Sequence, residues 1–268
     1  MGIDRQVISP TATQYYYWAD RDLATVLVKE QNEAIAATCA KYPDRLSGLG
    51  NVSLQHPDLA AAQLQYLVKE LGLHGVVISS SVNGESLGAD SLAPFWQKAH
   101  ELECVVFIHP FGTTMGTRLD RYYLSNLVGQ PLETAIALSE LIFSGTLDRC
   151  SHAKLVAAHG GGYLPTYIGR SDHGYKVRPE ARGCARAPHE YLKRIWFDSV
   201  VYDGLALRHL IDRVGLSQVV VGTDYPFDMG DYDPHELISS LSSLTESDRA
   251  ALLGGNALGL LGIPQIEP

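Results

Sequence analysis

Seven short runs of β-branched and aliphatic residues lie along this chain, and six of them give way to a longer stretch whose apolar residues recur every three or four positions. Fully apolar or period-two runs make strands and a 3.6-residue period makes amphipathic helices, so their alternation predicts a parallel α/β fold. Strands are read at residues 6–10 (QVISP), 46–53, 75–79 (GVVIS), 105–109, 155–159, 195–201 and 219–224. Helices are expected at 20–41, 58–72, 91–102, 132–147, 205–214, 234–241 and 248–261. Tyr42-Pro43 stops the first helix, and Gly72 suits the end of the second because glycine readily takes the left-handed backbone of a helix C-terminus. The Gly-, Pro- and Arg-rich stretch 160–188 reads as a loop with an irregular extension, and 177–188 as a segment able to reach a neighbour.

A closed barrel of strand-helix units has eight, and seven are read. Residues 1–4 read as the end of a helix and a loop, with Gly2 as the terminating residue, so the shortage is placed at the start. A further unit of roughly 30 residues is expected ahead of residue 1. The expected architecture is an α/β barrel of the TIM type, a single domain over residues 1–268 with its first strand and helix missing.

The 268 residues, 46% hydrophobic and 19% charged, suffice for one large core. A formal net charge of −9 without a dense Lys/Arg cluster argues against a nucleic-acid or anionic-membrane partner. Cys39, Cys104, Cys150 and Cys184 show no CxxC spacing, so neither a disulfide framework nor a thiolate zinc site is expected, and reduced thiols in a cytoplasmic protein are. No apolar run approaches the roughly 20 residues of a membrane-spanning helix, and residues 1–5 lack the basic start and apolar core of a signal peptide.

Three of the strands end on a side chain able to bind a metal: His109 in VVFIHP, His159 in LVAAHGGG and Asp224 in GTDYP. Strand ends followed by Gly- or Pro-bearing loops are where an α/β barrel gathers its chemistry, and neutral imidazole with carboxylate suits zinc, manganese or iron. A polar group satisfied by its own loop is the competing reading of each residue taken singly. Glycines 160–162 let the backbone take positive φ and pass close to a ligand, and equally make a tight turn without one. Arg170 and His173 in GRSDHGY offer a guanidinium for a substrate carboxylate, with a surface salt bridge as the alternative. Tyr15, Tyr16, Tyr17 and Trp18 read as core packing, and the other histidines as structural or solvated.

Taken together, IHP at 108–110, AHGGGYLPTYIGRSDHGY from Ala158, GTDYPF from Gly222 and GGNALGLLG from Gly254 resemble the amidohydrolase-related metal-dependent decarboxylases, the aminocarboxymuconate-semialdehyde decarboxylase group in particular. The resemblance runs over nearly the whole chain. It implies a distorted (β/α)8 barrel, a homodimer, and one zinc or related divalent ion. It implies that His109 and Asp224 are metal ligands, that His159 is the histidine activating the metal-bound water, and that Asp224 counts among the catalytic groups too. Arg170 matches an arginine that binds the substrate carboxylate from the neighbouring subunit. The family's first strand ends in His-x-His, and this chain has no such motif; the missing pair falls in the same unit that the strand count leaves out.

The activity implied is release of carbon dioxide from a carboxylated unsaturated or aromatic small molecule, with the conjugated substrate as electron sink. Hydrolysis of a lactone or amide would use the same barrel and ligands. A truncated, non-catalytic remnant is the reading from outside enzymology.

Overall fold

The computed structural model describes residues 2–264; Met1, part of the expected helix end, lies outside the described residues, as does the unit expected ahead of it. The chain opens with β1 (Gln6–Ile8) and α1 (Arg21–Lys41), which Asp20 starts by accepting the Leu23 amide on its side chain. β2 (Leu46–Gly48), α2 (Pro57–Lys69) and β3 (Gly75–Ile78) follow, then a small hairpin of β4 (Ser81–Val82) and β5 (Glu85–Ser86). Next come α3 (Ala93–Leu102), β6 (Val105–Ile108), α4 (Gln130–Phe143), α5 (Thr146–Arg149) and β7 (Lys154–Ala157). The last part holds α6 (Leu164–Val177), α7 (Pro188–Tyr191), β8 (Ile195–Asp198), α8 (Gly204–Val214) and β9 (Val219–Val220), ending with α9 (Pro234–Ser239), α10 (Glu246–Ala250) and α11 (Asn256–Leu261).

β1 pairs with β2, and β3-β6-β7-β8-β9 form a five-stranded sheet, every pairing in both being parallel. A lone parallel bridge between Gly50 and Val76 links the two groups, so the seven strands stand side by side in chain order. That order, with helices between successive strands, is the wall of a β/α barrel. The expected strands are all present and shorter at their C-terminal ends, where the chain leaves the ladder to build loops.

Two helical readings are corrected. The stretch read as loop at 160–188 contains α6, a 14-residue helix anchored by buried Leu164 and Ile168, four residues apart. Gly169, Gly174 and the polar residues between them dilute that stripe until it no longer reads as helical period. The helix read at 132–147 breaks at Gly145, whose φ of 72° ends α4 and starts α5. The β4–β5 hairpin gave no alternating pattern, being two residues a side.

Strand alternation sorts the core into two faces. Val106, Ile108, Leu155, Ala157, Ile195 and Phe197 join the large cluster that also holds Leu64, Leu138 and Leu207 of the helices. Val105, Val156 and Val220 turn to the other face, where Phe107 and Trp196 join them and Leu260 of α11 covers them. The residues at the strand ends inherit this phase.

Candidate metal centre

Counting by twos from the second face, Val105 and Phe107 lead to His109, Trp196 to Asp198, and Val220 through Gly222 to Asp224. Three ionisable groups therefore reach one place because they continue the inner stripe of their strands. His159 is one residue out of phase with Val156, and its backbone takes φ 56°, a left-handed conformation uncommon for a side-chain-bearing residue. Asp224 does likewise at φ 50°. One ligand atom each from His109, His159 and Asp224 lie within 4.8 Å of one another.

The direction in which His109 presents its ring nitrogens follows from its neighbours. Its Nδ1 is 3.1 Å from the Pro110 carbonyl, which can only accept, so Nδ1 is the donor there and Nε2 is the nitrogen left for a ligand. Nε2 then faces Asp224 Oδ1 at 3.4 Å. An unprotonated Nε2 and a carboxylate oxygen are both electron-pair donors, a pairing that a shared cation stabilises. Ligands bound to one ion at about 2.0–2.2 Å with tetrahedral angles stand about 3.4 Å apart, so the observed gap fits a shared metal. His159 adds a second sign: its Nδ1 is buried with no hydrogen-bond partner, a condition that costs stability unless a ligand relieves it. Burial lowers the pKa of His159, His109 lowers it further, and the nearby Asp198 and Asp224 carboxylates oppose the shift. The ring is thus neutral at neutral pH, the form that ligates or accepts a proton.

The backbone around His159 is held from below. Asp198, 5% exposed, accepts the Gly160 amide on Oδ1 at 2.9 Å and the Val200 amide at 3.1 Å. Such charge-assisted bonds fix the turn that carries His159. Gly162 must be glycine: at φ 62° a Cβ would lie 1.9 Å from the Pro131 carbonyl oxygen of α4. On the other side, Tyr15 donates its hydroxyl to the His109 carbonyl at 2.9 Å.

His109, His159 and Asp224 are therefore brought together, as the sequence predicts. Arg170 is not: it is exposed on α6 and makes no hydrogen bond or ion pair among the described residues, and His173 is exposed beside it. Asp198 is the residue that sequence reading passed over. It closes IWFD as His109 closes VVFIH, and that shared position is the signal. The aromatic run is only half core, since Tyr15 and Tyr17 are buried while Trp18 is 72% exposed.

Residues 2–263 match the Amidohydrolase family, and the chain belongs to it. A relative named 2-amino-3-carboxymuconate-6-semialdehyde decarboxylase, from Dictyostelium discoideum, is 38% identical over 97% of this chain and 73% of its own length. The crystal structure of 5-carboxyvanillate decarboxylase from Sphingomonas paucimobilis superposes with a TM-score of 0.90 at 26% identity, covering 98% of this chain and 80% of that one. A dihydroxybenzoic acid decarboxylase from Polaromonas sp. JS666, with bound manganese and the inhibitor 2-nitroresorcinol, has a TM-score of 0.86 over 97% of this chain and 82% of its own. At 24% identity that likeness shows the fold alone. The fold is that of the TIM-barrel decarboxylases of the amidohydrolase superfamily, and the donor set suits a divalent metal.

Proposed function

We propose that this protein is a carboxy-lyase that uses a divalent metal to release carbon dioxide from an unsaturated or aromatic carboxylate. The observation that carries the reading is the convergence of His109, His159 and Asp224 within 4.8 Å at the strand ends of an amidohydrolase barrel. His109 Nε2 and Asp224 are the groups that would hold the ion, and zinc is favoured because imidazole nitrogen and carboxylate oxygen are its usual donors. When bound, such an ion supplies Lewis-acid polarisation of a substrate oxygen.

His159, neutral and beside both, moves the proton. It accepts one at a ring nitrogen and delivers it to the carbon that loses its carboxylate. The bond between that carbon and the carboxylate breaks, its electron pair stays on the conjugated system, and the delivered proton takes the vacant position. Asp198 holds the Gly160 turn, so the imidazole keeps its direction. The single barrel domain acts as a homodimer, in which the free guanidinium of Arg170 on one copy reaches the substrate carboxylate in the other. All four cysteines are free thiols, which supports a reducing, cytoplasmic setting, and no helix among the described residues is long and apolar enough to cross a membrane.

The test is carbon dioxide release from a panel of hydroxybenzoates and unsaturated dicarboxylates by zinc- and by manganese-loaded protein. Gas evolution with stoichiometric loss of one carboxyl supports the reading; water-addition products without gas, or no turnover with metal bound, overturn it.

A further inference from the structure

Asp224 is aimed by its backbone, and that backbone is gripped from the neighbouring loop. From Thr223 to Asp231 the chain closes on itself: the Asp231 amide donates to the Thr223 carbonyl at 2.8 Å and pins the neck. Inside, the Phe227 amide donates to the Asp224 carbonyl at 3.1 Å, and the Gly230 amide to the Phe227 carbonyl at 2.9 Å. The turn is tight enough that a Cβ at Gly230 would lie 2.9 Å from the Phe227 oxygen and 3.0 Å from that of Thr223. A segment folded this closely moves as one piece, so a hold on any part of it is a hold on Asp224.

The loop after β8 takes that hold at two points. Ser199 accepts the Gly222 amide on its hydroxyl at 3.3 Å, two residues before Asp224, and a Cβ at Gly222 would lie 2.8 Å from Asp198 Cβ. Five residues beyond Asp224, the Met229 carbonyl accepts the Tyr202 hydroxyl at 2.5 Å. The Tyr202 backbone, at φ 58°, is left-handed, a conformation that an aromatic residue keeps only where its surroundings impose it. Asp224, at φ 50°, is in the same state, so two strained residues on adjacent loops are joined through one short bond. Burial lifts the Tyr202 hydroxyl to about 12, and the carboxylates of Asp224, Asp198 and Asp231 add to the lift, so it is a donor at neutral pH.

We propose that Tyr202 is a positioning residue for the metal centre: through Met229 it locks the loop that presents the Asp224 carboxylate to His109. The proposal rests on the reading of His109 and Asp224 as ligands of a divalent ion, and adds a residue from outside that set. A ligand already held in place loses less freedom when the ion arrives, so the tie shows as metal affinity and not as stability alone.

Zinc affinity, measured on the full chain by competition with a chromophoric chelator, tests this. Tyr202→Phe keeps the ring and removes only the hydroxyl, and at this half-exposed position it binds zinc about five- to tenfold more weakly than wild type. In an Asp224→Ala background the same change has no further effect, because the hydroxyl acts through a carboxylate that is gone. Cobalt-loaded Tyr202→Phe shows altered d–d absorption, which a loss of stability elsewhere would not produce. Wild-type zinc affinity and cobalt spectrum in Tyr202→Phe overturn the proposal, and so does a loss of equal size with Asp224→Ala present. Weakened zinc binding without carbon dioxide release by the wild type leaves the role of Tyr202 standing and defeats the carboxy-lyase reading; release by the wild type, with zinc affinity unchanged in Tyr202→Phe, does the reverse.

Discussion

Asn51, after β2, and the histidines that follow β6 and β7 sit at the same end of the strands and are engaged in opposite ways. After β2, Asn51 is wholly buried and wholly engaged: its amide bonds Asn32 Oδ1, its carbonyl accepts Asn32 Nδ2, its side-chain NH2 reaches Gln14 and Gln31, and its Oδ1 accepts from Val52. After β6 to β9, His109 Nε2 confronts a carboxylate and His159 Nδ1 has no partner. Saturation is how a buried polar group stabilises a fold, and unsatisfied capacity is how it binds something else. Damage at Asn51 should therefore appear as lost stability, and damage at the two histidines as lost turnover.

The largest effect is expected at His109. His109→Ala lowers carbon dioxide release by more than about a hundredfold and abolishes stoichiometric metal in elemental analysis, with the melting temperature of the metal-free protein nearly unchanged. A large drop in that melting temperature would erase the contrast. Next comes Asn51→Ala, which leaves several buried groups unsatisfied and costs about 2–4 kcal/mol in denaturant unfolding, while turnover per folded molecule stays within about twofold.

Asp198 sharpens the comparison because it belongs to both kinds. Asp198→Ala frees the Gly160 and Val200 amides and drops kcat about tenfold, with a modest loss of stability; Asp198→Asn, which keeps an acceptor for both amides, restores most of each. Equal damage from both variants would mean that charge, not support of the turn, is what Asp198 supplies.

The smallest effect lies outside both regions. Arg21 holds Asp58 down to about 2 through a two-point contact of 3.0 and 2.6 Å on the surface. A carboxyl lowered in the folded state stabilises above its unfolded pKa, and that contribution fades as pH falls toward about 2. With both side chains more than half exposed, Asp58→Asn shifts thermal unfolding slightly at neutral pH and not at all at high salt or strong acid.

Much of this was legible in residues alone. Seven apolar runs gave seven strands, because buried parallel strands need continuous apolar sequence and little else resembles it. His109, His159 and Asp224 could be read because each closes such a run. Asp198 was hidden by continuation: Ser199, Val200 and Val201 prolong the apolar look of IWFD, so the strand was read through its own end. α6 was hidden because its buried residues Leu164, Pro165 and Ile168 crowd into its first turns, and its proline and glycines look like loop. The tie from Tyr202 to Met229 was beyond reach, since the two come from separate loops that meet only once the strands are in order.

The contact between Gly162 and Pro131 ties the turn after β7 to α4. Pro131 stands in the first turn of α4 and Gly162 three residues after His159, so no side chain at 162 fits unless α4 moves. The histidine turn and α4 are thereby on a common mechanical footing. A shift of α4 would be felt at the histidine turn at once, whereas changes at Trp18 and Phe111, whose side chains are exposed, leave that contact alone.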